Sequence, residues 1–176
     1  MPERSGFMPE YEYIAENIKN IRKNIDEAAK RVGRDPKEIL LLAVSKTVEV
    51  PKIKAAVAEG LDELGENRVQ EIMEKYEPMG PEVKWHLIGH LQTNKVKYII
   101  DKVKLIHSVE SLKLAEEIDK QAKKHGVVAD ILVEINMAKE ESKFGIMPED
   151  AEEFIKSLSA LENIRVRGLM TVAPFV

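Results

Sequence analysis

The sequence holds no cysteine, which removes disulfides, iron–sulfur clusters, thiolate nucleophiles and cysteine-based zinc sites together. Whatever chemistry the chain performs uses nitrogen and oxygen groups. Aromatic residues are scarce, at 5% with one tryptophan. No apolar run reaches the roughly 18 residues that a membrane-spanning helix needs. The opening residues, MPERSGFMPEYEY, lack the apolar stretch and small-residue cleavage site of a secretory signal. A cytoplasmic location without a membrane partner is therefore expected. Charge of one sign is also lacking: 27 Lys and Arg against 31 Asp and Glu leave a net −4, and neither sign collects into a long run. A basic face for nucleic-acid phosphates is not advertised, so no nucleic-acid partner is expected. Gly-rich phosphate loops of the Walker and dinucleotide types are missing, as is the Gly-x-Ser-x-Gly elbow.

What remains is 176 residues, 44% hydrophobic and 33% charged, a balance that suits one globular domain spanning 1–176 rather than a disordered chain. Residues 11–32 place Ile14, Ile18, Ile21, Ile25, Ala28, Ala29 and Val32 at steps of three and four, one apolar stripe along a helix that Gly33 ends. The rhythm then changes to short β-rich runs at 39–45, 61–64, 84–88, 104–108, 130–136 and 164–170. Helical patterns separate them at about 51–59, 66–76, 93–102, 111–125 and 148–160. Pro51 suits a first helical turn, Ser111 an N-cap and Gly126 a stop. Alternating strands and helices predict βαβ units and an α/β fold with a parallel sheet. The first and sixth strand centres, near Leu42 and Arg167, lie 125 positions apart, room for five repeats of about 25 residues each. The chain is then a six-stranded open sheet or a barrel without its last two units, since a full (β/α)₈ barrel takes roughly 200 residues or more.

In the first run, ILLLAVSKT, alternation sets Leu42, Val44 and Lys46 on one face and Leu41, Ala43 and Ser45 on the other. A lysine thus closes an apolar row at the carboxyl end of a strand, where α/β folds place their active sites. A neutral amine there attacks an aldehyde to form an imine; a lysine simply leaving the strand for solvent is the commoner alternative. At the second junction, LGENRVQE, Glu66 or Asn67 suits a helix cap, and Asn67 suits a site. The third, KWHLIGHLQTNK, carries His86 and His90, but Gly89 takes them off a helix and no glutamate follows the first histidine, so no metal site is expected. In HSVES, Ser108 suits a ligand and Ser111 a cap. The fifth strand sets Glu134 and Asn136 on one face, and the sixth sets Arg165 and Arg167 on one face. Burying such charges unpaired is costly, so Glu134 is expected to pair with an arginine, Arg167 by parity.

The order of these junctions is more specific than any one of them. AVSKT, GENRVQE, WHLIGHLQTNK, HSVES, SKFGI and RGLMTVAP resemble, in succession, the pyridoxal phosphate homeostasis proteins, a family also described as the cofactor-binding barrel of alanine racemase without its second domain. The resemblance implies a TIM-like barrel preceded by an N-terminal helix, with about six of eight units present, and pyridoxal 5′-phosphate as cofactor. It places the imine at Lys46 and sets Asn67, His86, Ser108, Asn136 and Met170 around the cofactor ring. Lys143, in SKFGI, matches a second lysine that competes for the aldehyde or approaches its phosphate. The family's Ser-Gly-Met-Ser and Arg-Ile-Gly stretches, which hold the phosphate and face the pyridine nitrogen, are not found in this sequence, so weakened cofactor binding is expected.

The function implied is buffering or delivery of the cofactor, with pyridoxal-phosphate-dependent apoenzymes as recipients and no substantial catalysis. The alternative is an alanine-racemase-like enzyme using the same imine. Racemisation needs proton donors on both faces of the substrate, yet Tyr11, Tyr13, Tyr76 and Tyr98 all fall in predicted helices or their starts. A cofactor-free aldolase accounts for Lys46 but not for the other junctions.

Overall fold

A computed structural model describes residues 11–139 and 144–173; Lys143 lies outside them. Helix α1 (Glu12–Arg31) comes first, and Gly33 follows it at φ +70°, a left-handed position that glycine adopts without steric penalty. Six strands alternate with five helices after it: β1 (Ala43–Val44), α2 (Val50–Ala58), β2 (Glu63–Glu66), α3 (Val69–Met79), β3 (Lys84–Leu87), α4 (Val96–Ile99), β4 (Val103–Val109), α5 (Leu112–His125), β5 (Ala129–Glu134), α6 (Ala151–Ser157) and β6 (Ile164–Met170). Ser111 caps α5 by accepting the Leu114 N–H at 3.3 Å, and Gly126 ends that helix at φ +67°, as the sequence predicts.

All six strands pair in parallel in the order β1-β2-β3-β4-β5-β6. Right-handed crossovers that always step in the same direction put every helix on one face, whereas a doubly wound sheet reverses direction part-way and covers both. The arrangement is that of a TIM-like barrel with six of its units, β1 and β6 forming its edges. Period-two alternation divides the residues accordingly. In β5, Ala129, Ile131 and Val133 are buried under the helices while Asp130, Leu132 and Glu134 face the interior half-buried. The apolar core lies between sheet and helices, with Trp85, Leu87, Ile106 and Ile131 packed against Ile72, Ile99 and Ile118. Arg22 ties α1 to the rest by donating to the Gly60 and Glu59 carbonyls at 2.8 and 3.2 Å.

Four local expectations are corrected. The ladder of β1 covers only 43–44 of the expected 39–45, because β1 is an edge and β2 pairs with it only at Leu64 and Gly65. The helix expected over 93–102 is a 3₁₀ turn, Thr93–Lys95, followed by the four residues of α4. Neither Glu66 nor Asn67 caps α3: Arg68 holds the cap position without a side-chain bond, and Glu66 is buried inside the fold. The Glu134–Arg167 pair does not form. A register shift between β5 and β6 pairs Ile131 with Val166 and Leu132 with Gly168, leaving Arg167 in a bulge, which reverses face parity beyond it. Met170 therefore lies opposite Glu134. Arg165 and Arg167 instead approach Asp130, at 2.6 and 3.7 Å.

Candidate functional site at the carboxyl ends of the strands

Parallel strands deliver their carboxyl ends to one rim, and Lys46, Asn67, Ser108, Asn136 and Met170 all come to it. Lys46 follows β1 on the interior row and is exposed. The chain turns sharply there: the Val48 N–H bonds the Ser45 carbonyl at 3.0 Å, and Thr47 sits at φ +61°, a conformation few β-branched residues adopt. The Thr47 N–H donates to Glu71 Oε2 at 2.9 Å. That bond is the main reason the Glu71 carboxyl titrates below its ordinary range; burial opposes it and Lys75 assists it. Beneath the turn, buried Lys75 donates to the Ser45 carbonyl at 2.8 Å and to Glu66 Oε1 at 2.7 Å, and the Ser45 hydroxyl donates to the same Glu66 oxygen at 2.7 Å.

Asn67, Gly89 and Ser108 form one continuous stretch of the rim. A Cβ at Gly89 would lie 2.5 Å from the Asn67 carbonyl oxygen, so only glycine lets the two loops approach this closely. The buried Ser108 hydroxyl donates to the Gly89 carbonyl at 2.6 Å. Asn136 is buried, and its N–H bonds the Ile146 carbonyl at 2.9 Å. Gly145, at φ +113°, would place a Cβ 2.7 Å from the Asn136 nitrogen. Half-buried Met170 ends β6, its carbonyl accepting the Ile135 N–H at 2.8 Å.

His86 lies deeper, 1% exposed, with both ring nitrogens engaged. Nε2 is 2.6 Å from Glu63 Oε2 and Nδ1 is 2.9 Å from His107 Nε2. A carboxylate only accepts, so the neutral His86 ring carries its proton on Nε2 and accepts from His107 through Nδ1. Burial keeps His86 titrating below its ordinary range despite Glu63. His107 is pushed down to about 4 by burial and by His86. For Glu63, burial raises the carboxyl, but Lys104 at 2.6 Å and His86 together outweigh it and hold it low.

Sequence reasoning missed Glu63, His107, Lys75, Glu71, Glu110 and Phe144, and weighed His90 only as a metal ligand. Alternation along LDELGE would have put Glu63 on the interior row with Gly65 and Asn67. No local signal marks the others, which act through partners on distant elements. Glu110 joins three loops: Oε1 lies 3.0 Å from His90 Nδ1 and Oε2 accepts the Gly145 N–H at 3.0 Å. The His90 ring stacks on Phe144 at 4.2 Å. Burial, then Glu110, raises the Glu134 carboxyl above its ordinary range, with His90 opposing. Beside Lys46 a groove of about 740 Å³ is lined by Thr47, Asn67, Arg68, Glu71, His90 and Lys95.

Residues 17–176 match the alanine racemase N-terminal domain. The chain belongs to that family. It is 43% identical over 162 residues to the pyridoxal phosphate homeostasis protein of Aquifex aeolicus, covering 92% of this chain and 71% of that one. The Escherichia coli K12 protein of the same name is 36% identical over 163 residues, covering 90% and 70%. Among solved structures, PipY of Synechococcus elongatus PCC7942 with PLP bound superimposes with a TM-score of 0.76 at 33% identity, covering 93% of this chain and 72% of that one. Alanine racemase of Clostridium difficile 630, at 23% identity and TM-score 0.71, covers 93% of this chain and 41% of the racemase and shares the fold.

Proposed function

We propose that this chain binds pyridoxal 5′-phosphate through an imine on Lys46 and serves pyridoxal phosphate homeostasis in the cytoplasm, buffering the cofactor or delivering it to apoenzymes that use it. The observation that carries this reading is the position of Lys46, an exposed amine ending an interior row at the barrel rim. Kinship with homeostasis proteins and with a PLP-bound relative supports it.

The donor set suits the group. Pyridoxal phosphate supplies an electrophilic aldehyde, to which a lysine nitrogen adds with loss of water. Lys46 is the amine at the rim for that bond. The Asn67–Gly89–Ser108 stretch, Asn136 and Met170 would border the ring. His86 is held by Glu63 and His107 as part of the floor, so it would meet the ring as a fixed neutral surface rather than as a proton donor. Lys143 remains a second candidate amine.

Racemase chemistry draws less support. Tyr13, Tyr76 and Tyr98 lie within α1, α3 and α4, and Tyr11 caps α1, so none of the four stands at a strand end where it would reach a substrate carbanion. Adding pyridoxal phosphate should produce a visible absorbance band in the wild type that is lost in Lys46→Ala. The same samples should not racemise alanine. A band of equal size in Lys46→Ala refutes the role of Lys46, and protein-dependent racemisation of alanine, above that of free pyridoxal phosphate, refutes the carrier reading.

A further inference from the structure

Among the described residues no hydrogen bond or ion pair holds the Lys46 side chain, so the direction of its amine is set by the backbone beneath it. That backbone is held from below by α3. Glu71 and Lys75 stand four residues apart on one helix face. Glu71 takes the Thr47 N–H, and Lys75 takes the Ser45 carbonyl. Together they grip the peptide groups on either side of Lys46. Lys75 is only 8% exposed, an unusual place for a lysine unless its charge is matched. Its match is Glu66, fully buried at the end of β2 and shared with the Ser45 hydroxyl. Thr47 meanwhile stays in a left-handed conformation, which persists only when surrounding contacts over-determine it.

We propose that Lys75 and Glu71 are positioning residues for Lys46: they hold the turn 45–48 in the conformation that aims the amine into the rim, so that its order is present before the aldehyde arrives. This deepens the reading of Lys46 as the imine-forming lysine and rests on it. When a group is ordered in advance, binding does not have to supply that order. Loosening the turn should therefore reduce adduct formation at Lys46 and leave other lysines untouched.

The test is a labelling comparison of wild type, Glu71→Ala, Glu71→Gln and Lys75→Met. Each protein is equilibrated with pyridoxal 5′-phosphate below saturation and reduced with borohydride, and the label on each lysine peptide is quantified by mass spectrometry. Exposed Lys19 and Lys97 serve as internal references. Removing a charged hydrogen-bond acceptor should lower Lys46 labelling about tenfold in Glu71→Ala. Glu71→Gln, which keeps an acceptor oxygen, should fall between the two, and label at Lys19 and Lys97 should not change. Without any cofactor, hydrogen exchange at the Thr47 and Val48 amides should accelerate in Glu71→Ala. If Lys75→Met does not fold, the Glu71 pair decides the matter. Unchanged Lys46 labelling in folded Glu71→Ala overturns the positioning role while leaving Lys46 as the acceptor. No Lys46 label in the wild type overturns the underlying reading and this one with it.

Discussion

Acidification should destabilise the protein through the histidine pair before the carboxylates titrate. In the fold His107 titrates near 4 against an ordinary 6.5, chiefly because it is buried and secondly because His86 lies beside it. As pH falls through 6.5 the unfolded chain takes up a proton that the folded ring refuses until about 4. Stability is thus unaffected above about pH 7 and is lost progressively between 7 and 4. For one such group the loss at pH 5 is about 2 kcal/mol, and partial exposure of the ring screens it to about 1 to 2 kcal/mol. His86, also held low by burial, adds in the same direction, with Glu63 opposing and Lys104 and Lys84 assisting. Glu63, Glu71 and Asp62 are held low, so their contributions are present above the ordinary carboxylate range and are lost as pH falls through that range to their lowered folded values. Urea unfolding at pH 7.5 and 5.0 separates the two windows. His107→Gln keeps an N–H for His86 Nδ1 but cannot titrate. The wild type should lose about 1 to 2 kcal/mol more than this variant over the interval. Equal losses would mean that the folded His107 ring takes up its proton as readily as the unfolded one, so that burial and His86 do not hold it low.

Other outcomes follow from the geometry. Gly89→Ala forces a Cβ to within 2.5 Å of a backbone oxygen and should cost about 2 kcal/mol or more in urea unfolding; a neutral substitution would show that the loops after β2 and β3 separate easily. Lys46→Ala should abolish the visible pyridoxal phosphate band yet keep stability within about 0.5 kcal/mol, because the exposed side chain supports nothing else. A large drop in its urea midpoint would instead make Lys46 structural. Asp130→Ala should leave the urea midpoint near that of the wild type, since its partners Arg165 and Arg167 have side chains 58% and 54% exposed and exposed ion pairs contribute little. A marked fall would show that the pair anchors β6 to β5.

Local rules made much of this protein legible in its sequence. Side-chain alternation has period two wherever a strand runs, so the row ending in Lys46 and the opposite row ending in Ser45 are readable from ILLLAVSKT. Caps are equally local, and Ser111 and Gly126 bound α5 as expected. The spacing of β-rich runs yields six units, and the order of the junction motifs carries the family. The choice between open sheet and barrel was not local: it rests on strand order, which the chain reveals only when folded.

Tertiary structure alone decided which polar groups meet. The bulge at Arg167 depends on how β6 settles against β5, and with one extra residue there Arg167 lies near Asp130 while Met170 stands opposite Glu134. Glu66 looked like a helix cap and became the buried partner of Lys75. His86 and His107, 21 positions apart, became one hydrogen-bonded pair on the interior floor. Periodicity assigns each residue to a face, but a buried charge must find its partner across strands, and that choice depends on inter-strand register and distance. The sequence by itself therefore determined the α/β alternation and the place of Lys46 at the rim, because those follow from local geometry. The polar network that holds Lys46 in place was decided only by the packed structure.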